Sequence, residues 1–188
     1  MKHSGANLRK QHYTVEPIAH AEWRAFVEKF HYSSSASNTP VYAYGLFYQG
    51  GLVGVALWMP PTRVAAESVN KANWRRVLAL SRLAVHPEAP RNAATFLLGR
   101  STRLIKRDGL WRWLVTYADT WQNHTGAIYL ATGWRYVGET KKSPVWVNDA
   151  GVMRGRKRGP RTLTRAEMVA EGFSCLGSFS KHKFVKTL

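Results

Sequence analysis

The residues of this 188-residue chain with the greatest chemical capacity gather in one short stretch, Asp119, Trp121, Gln122 and His124, and in two satellites, His31–Tyr32 and Ser81–Arg82. Asp119 follows an apolar run, Trp113 to Ala118, that predicts a strand, so its carboxylate stands just past a strand end. There it can accept a proton, hydrogen-bond a substrate edge or ligate a metal. The structural alternative is a cap on a helix beginning at Thr120, worth about 1 kcal/mol. Gln122 can make two hydrogen bonds to the edge of a base. Trp121 offers a stacking face or packs under the following turn. His31 and Tyr32 open a polar loop, HYSSSASNTP (31–40), able to reach over a site as proton relay, ligand or stacking ring. His31 can equally satisfy the end of the preceding helix. His31 with Asp119 would give a metal only two ligands. Ser81 and Arg82 are neighbours in a strand, so strict alternation predicts opposite faces. Arg82 is expected to meet a cleft carboxylate or phosphate, while Ser81 is either a site residue or a buried, satisfied hydroxyl.

Elements that must position these groups follow from periodicity and punctuation. Tyr13–Ile18 reads as a strand, and His20–Phe30 as a helix with Trp23, Phe26, Val27 and Phe30 on one face. Val41–Tyr48 and Leu52–Trp58 flank Gln49-Gly50-Gly51 as a hairpin. Ala65–Leu78 is expected to be helical, and Leu80–Val85 a short strand stopped by Pro87. Asn92 is a candidate N-cap for a helix ending at Gly109. Its Ala93, Leu97, Ser101 and Leu104 share one face, and Arg100, Arg103 and Arg107, reinforced by Lys106, share another. A strand at Trp113–Ala118 precedes a short helix from Asn123 or His124 to Gly133. Trp134–Val137, Val145–Val147 and Phe179–Val185 are further strands. This order predicts an α/β class: one domain over 1–188, with a mixed, mostly antiparallel twisted sheet flanked by helices.

Composition bounds the partners. At 45% hydrophobic and 21% charged the chain has a globular composition, which argues against disorder. The charge is less ordinary: 28 Lys and Arg against 11 Asp and Glu give +17. Such a surplus favours a polyanion, whose counterions are released on binding. It peaks at Arg154, Arg156, Lys157, Arg158, Arg161 and Arg165, in a stretch that Gly155, Gly159 and Pro160 make a flexible loop (154–165). Arg156, Lys157, Arg158 and Arg161 are therefore candidate phosphate contacts, with a solvated loop as the alternative. The Arg100, Arg103, Lys106 and Arg107 face is a second candidate. A single cysteine, Cys175, excludes a disulfide framework and a cysteine-cluster zinc site. No apolar run approaches the ~20 residues of a membrane span, no signal-peptide core follows Met1, and a reducing cytoplasm is the expected location.

Two segments resemble the GNAT N-acetyltransferase family. LAVHPEAPRNAATFLL (83–98) is similar to its strand, pyrophosphate loop and helix, and IYLATGWRYVG (128–138) to the next helix and strand. The resemblance implies donor phosphates received by amides around Asn92, Ala93, Ala94 and Thr95, and Tyr129 as the acid that protonates a leaving thiolate. The loop departs from the family at Pro90, where Arg or Gln is usual; that stiffens it and admits a different activated donor.

More of the chain resembles the Mom DNA-modification proteins of Mu-like bacteriophages. The resemblance rests on LSRLAVHP (80–87), LVTYADTWQNHTGAIYLATGWRYVG (114–138) and RKRGPRT (156–162), with HYS (31–33) and YGLFY (44–48). It implies an acetyltransferase-like enzyme that converts adenine in double-stranded DNA to N6-(carbamoylmethyl)adenine in an infected or lysogenic bacterium, protecting phage DNA from restriction. An activated two-carbon donor, acyl-CoA or aminoacyl, and iron(II) are cofactors that family implies. Under this resemblance Asp119, His31, Tyr32, Arg82 and Ser81 are the catalytic candidates, and Trp121, Gln122 and His124 bind the base. An N-acetyltransferase of protein or small amines and a non-catalytic nucleic-acid-binding protein stay open as alternatives, as does monomer against homodimer.

Overall fold

A computed structural model describes residues 8–33 and 39–188. β1 (Tyr13–Pro17) leads into α1 (His20–Phe30), whose first turn is closed by Glu22 accepting the Ala19 N–H at 3.0 Å. β2 (Tyr42–Tyr48) and β3 (Gly51–Met59) are antiparallel. Their turn places Gln49 and Gly50 at φ of 49° and 78°, the left-handed pair a two-residue hairpin demands. α2 (Arg63–Glu67) is a short helix capped by Thr62. The helix expected over 65–78 ends there: a 3-10 turn, Trp74–Arg76, follows, and β4 (Val77–Val85) already begins at Val77. The apolar residues 77 and 78 that extended the helical pattern belong to this strand.

α3 (Ala93–Asp108) then crosses to β5 (Trp113–Asp119), which pairs parallel with β4. α4 (Ala127–Leu130) starts at Gly126, not at Asn123 or His124, because Asn123 ends a 3-10 turn (Thr120–Gln122) in the left-handed region. β6 (Arg135–Glu139) and β7 (Ser143–Val147) follow. The expected loop at 154–165 is a small hairpin of β8 (Lys157–Arg158) and β9 (Arg161–Thr162), packed against α5 (Arg165–Ala170). Arg158 pairs with Glu171 at 2.6 Å and Arg161 with Glu167, so ion pairs order what glycine and proline would leave loose. β10 (Ser174–Phe179), absent from the sequence reading, precedes β11 (Lys181–Thr187).

The main sheet runs β1-β2-β3-β4-β5-β11-β6, with β4–β5 its parallel pair. Its α/β class and mixed, mostly antiparallel sheet are as expected. α3 covers one face, burying Leu97, Leu98 and Ile105 against Leu46, Trp58, Leu78 and Leu114. On the other face α1 meets Val55, Leu57 and Ala84, and α2 meets Val77, Ala79 and Val115.

In β4 the alternation breaks. Val77 and Ala79 face α2, Leu78 and Leu80 face α3, yet beyond position 81 it is the even-numbered Ala84 that faces α1. The register shows why: Leu57 opposes Arg82 and Trp58 opposes Leu80, leaving Ser81 as the extra residue of a β-bulge. Parallel pairing of β4 with β5 covers only Val77–Ala79 against Trp113–Val115; past it the strands diverge.

β7 and β10 form a separate two-stranded arm continuing β6 and β11, hinged where Thr140 N–H bonds Lys181 C=O at 3.0 Å. The β8–β9 hairpin and α5 form its far end, around Trp146, Leu163, Met168 and Phe173.

Gly126 holds a left-handed φ of 75°, and a Cβ there would lie 2.2 Å from the Phe184 ring. Gly126→Ala is expected to cost about 2–4 kcal/mol by overpacking added to backbone strain. Gly109→Ala, at φ 73° in open space, should cost about 1 kcal/mol. Urea unfolding compares the two; equal losses would mean that Phe184 yields freely.

Candidate active site

A cavity of about 400 Å³ occupies the opening between β4 and β5. It is lined from both faces of the sheet: His31, Tyr32 and Arg82 from the side of α1, and Ala94, Gly126, Ile128 and Tyr129 from the side of α3 and α4. The volume lies in the range of small-ligand sites. Because the bulge resets the alternation, Ser81 and Arg82 both line this cavity instead of pointing to opposite faces. Ser81 also donates to Leu57 C=O at 3.1 Å, so it is a satisfied hydroxyl at the rim.

The C-terminal end of α1 delivers His31 and Tyr32. The His31 N–H closes the helix onto Val27 C=O at 3.0 Å, and its ring stacks on Tyr32 with centroids 4.3 Å apart. The Ser33 N–H points at His31 Nδ1 at 3.2 Å. A backbone N–H only donates, so Nδ1 is the acceptor and the ring proton sits on Nε2. Burial, then the Arg82 and His124 charges, hold the His31 pKa down to about 4 against the opposing pull of Asp119. His31 is a neutral imidazole at neutral pH.

Tyr32 hydroxyl donates to Asp119 Oδ2, and the other carboxylate oxygen, Oδ1, is 2.6 Å from Lys181 Nζ. Lys181 is placed by register, since β11 sets it directly across from Asp119. Burial first, and the bond to Asp119 second, push the Tyr32 hydroxyl well above its usual pKa. Asp119 is 5% exposed and does not itself line the cavity; it reaches it through the Tyr32 hydroxyl. Arg82 donates to Ser81 C=O at 2.6 Å; burial lowers its pKa while Tyr32 and Asp119 act to raise it.

The remaining candidates divide. His124 lines the cavity, with its ring edge-on to Tyr32 at 5.6 Å. Trp121 is edge-on to Tyr32 at 5.8 Å but, like Gln122, lies outside the lining. Of the α3 group only Ala94 lines it. Ala93 is in the core, and Asn92 stands at the N-cap position but turns its side chain away, accepting the Leu8 N–H at 2.6 Å. Thr95 and Asn92 border a separate groove with Lys10, Arg103 and Lys186. Tyr129 is buried, which raises its pKa, against a hydrogen bond with Thr116. Arg100, Arg103, Lys106 and Arg107 are exposed on α3, across the sheet from Asp119, and line a groove of about 820 Å³ with β1. Lys181 and Thr116 belong to the site and were missed; only the strand pairing brings them there.

The residues present do not fit an iron site. Asp119 has one oxygen on an ammonium group and the other on a phenol, and His31 Nδ1 is taken by Ser33. Among the described residues no three His, Cys, Asp or Glu side chains converge. The start of α3 does suit a donor's phosphates. Ala93 and Phe96 amides are bonded to Pro90 and Asn92 carbonyls, whereas those of Ala94 and Thr95 find no acceptor among the described residues.

Solved structures share the fold. The chain aligns with a GNAT-family acetyltransferase from Streptococcus pneumoniae at a TM-score of 0.57 and 12% identity, covering 94% of this chain and 99% of that one. A polyamine N-acetyltransferase from Drosophila melanogaster gives 0.55 and 12%, over 94% and 100%. The ribosomal-protein-S18-alanine N-acetyltransferase of Escherichia coli gives 0.54 and 12%, over 93% of each. At these identities the likeness establishes an acetyltransferase-like fold. No curated protein matches the chain. The Mom protein family's model, in contrast, matches residues 12–184, and with nearly the whole chain covered the protein belongs to the Mom protein family.

Proposed function

We propose that this protein transfers an activated two-carbon unit to the exocyclic N6 of an adenine in double-stranded DNA, giving N6-(carbamoylmethyl)adenine and protecting phage DNA from host restriction enzymes. The observation that carries this reading is the line Tyr32–Asp119–Lys181 at a cavity lined from both faces of the sheet. Membership of the Mom family and the +17 charge support it.

Adenine N6 is a weak nucleophile, because its lone pair is delocalised into the ring, and it lies inside a base pair. An enzyme acting there swings the base out and holds it by stacking and edge contacts. Tyr32, His31 and His124 supply rings at the cavity wall. The Tyr32 oxygen can accept from the amine while its own O–H donates to Asp119. As the N6–carbon bond forms, the amine proton passes to Tyr32 and the Tyr32 proton to Asp119, while the leaving group departs with its electron pair. Lys181 pairs with the other Asp119 oxygen, and neutral His31 adds no further positive charge to a site that already holds Lys181 and Arg82. Ala94 and Thr95 amides are suited to the phosphates of a donor brought from the α3 side into near-attack geometry. For the carbamoylmethyl product the bond broken is that between the donor's methylene carbon and its leaving group, since attack on an acyl-CoA or aminoacyl carbonyl would give an N6-acyl adenine. The fold itself favours a second reading, N-acetylation of a protein or small amine, which requires tight coenzyme A binding and no polyanion.

Mass spectrometry of nucleosides from cells expressing the protein is expected to reveal a deoxyadenosine carrying one carbamoylmethyl group. Asp119→Ala should abolish it, and Tyr32→Phe should lower its yield about a hundredfold or more. Unmodified deoxyadenosine with folded wild-type protein, or full yield from both variants, would sink this chemistry. Proton linkage offers a separate check. His31 titrates lower in the folded protein than its ordinary 6.5, so the unfolded chain binds more protons between pH 6.5 and about 4. Stability is therefore lost as the pH falls through that window and is fully present above it. His31→Asn should flatten the decline of Tm across it; a parallel decline in both proteins would show that His31 is not held neutral.

A further inference from the structure

Asp119 and Tyr32 fix the direction from which an acceptor must come. In β5, Leu114 and Ala118 belong to the core under α3, whereas Val115 is buried against α2 and Tyr117 packs with it. Asp119 shares the parity of Val115 and Tyr117, so its carboxylate projects on the side of α1 and α2. β11 repeats the pattern: Lys181 meets Asp119, and two residues on Lys183 reaches Ser68, just past α2, donating to its Oγ at 2.7 Å and its C=O at 3.1 Å. Tyr117 both lines the cavity and packs into the cluster that holds Val69 and Trp74. The surface over 63–76 is thus continuous with the side of the cavity that carries the acid.

That surface is basic and built. Arg63, Lys71, Arg75 and Arg76 face a single acid, Glu67. Arg63 and Arg75 lie over the Trp74 ring at 5.4 and 4.5 Å, which holds both guanidinium groups in place. Arg63 also pairs with Glu67 at 2.7 Å, and Arg76 is anchored to Gly109 C=O at 3.0 Å. Lys71 and Arg75 are exposed. The basic residues of α3 lie on the opposite face.

From this placement we infer that the 63–76 surface, through Arg63, Lys71 and Arg75, is the cradle that holds the phosphate backbone of duplex DNA while a base enters the cavity, and that the basic face of α3 is not. This rests on the DNA-modification reading given above. Phosphate contacts of this kind position a duplex without reading its sequence.

The test is binding of a labelled short duplex of mixed sequence, measured by fluorescence anisotropy against salt. Substituting Arg63→Gln, Lys71→Gln and Arg75→Gln together should reduce the slope of log K on log salt by about two to three. Lys71→Gln alone, which touches neither Trp74 nor Glu67, should reduce it by about one and covers the case in which the triple variant fails to fold. Arg63→Lys with Arg75→Lys should keep the wild-type slope. Converting Arg100, Arg103, Lys106 and Arg107 to Gln should leave it unchanged. An unaltered slope for Lys71→Gln and the triple variant, or a larger loss from the α3 variant, would overturn the assignment of the surface while leaving the DNA-modification reading intact. Wild-type protein that binds duplex without salt dependence would overturn both.

Discussion

The place where β4 stops pairing with β5 governs this molecule. Two parallel strands that share backbone bonds at Val77–Ala79 and Trp113–Val115 would normally continue to do so, since buried backbone groups need partners. Here the bulge at Ser81 turns β4 toward β3, and the bonds that β5 would have supplied are made otherwise. Thr116 donates its hydroxyl to Leu80 C=O at 3.3 Å, and on the β3 side the Ser81 hydroxyl donates to Leu57 C=O. β5 turns its free edge beyond Val115 to the cavity, and β11 satisfies the other edge along its whole length. The opening is a property of the backbone, so residues from both faces of the sheet line it.

That opening sets the electrostatics. A carboxylate 5% exposed carries a desolvation cost that only a close cation and a good donor offset. Lys181 and Tyr32 supply them, one from the last strand and the other from the end of the first helix. The same desolvation disfavours the charged forms of His31 and Arg82 and so lowers their pKa values. The site is therefore balanced by three groups whose positions depend on three different elements.

Much of the scaffold was legible because its signals are local. Trp23, Phe26 and Val27 repeat with the period of α1, and Gln49-Gly50 marks a hairpin turn whose two φ angles are both left-handed. Errors fell where two local signals competed. Val77 and Leu78 continue a helical spacing from Ala65 but are claimed by the sheet, where they bury completely. At 154–165 glycine and proline suggested an open loop, yet Glu167 on α5 and Glu171 at its C-terminal cap hold it as a hairpin through Arg161 and Arg158.

Most strands and helices of the main sheet, and Asp119 at a strand end, follow from this sequence alone, since period-two or period-3.6 repeats fix them within a few neighbouring residues. The anion-suited start of α3 is what the acetyltransferase resemblance implies. Tertiary structure decided that Ser81 is a bulge, that Arg82 joins Tyr32 at one cavity, and that Lys181 neutralises Asp119. Those facts depend on register between strands, and on partners such as Tyr32 and Asp119 that stand 87 residues apart. No window along the chain contains both members of such a pair, so only packing brings them within a hydrogen bond of one another.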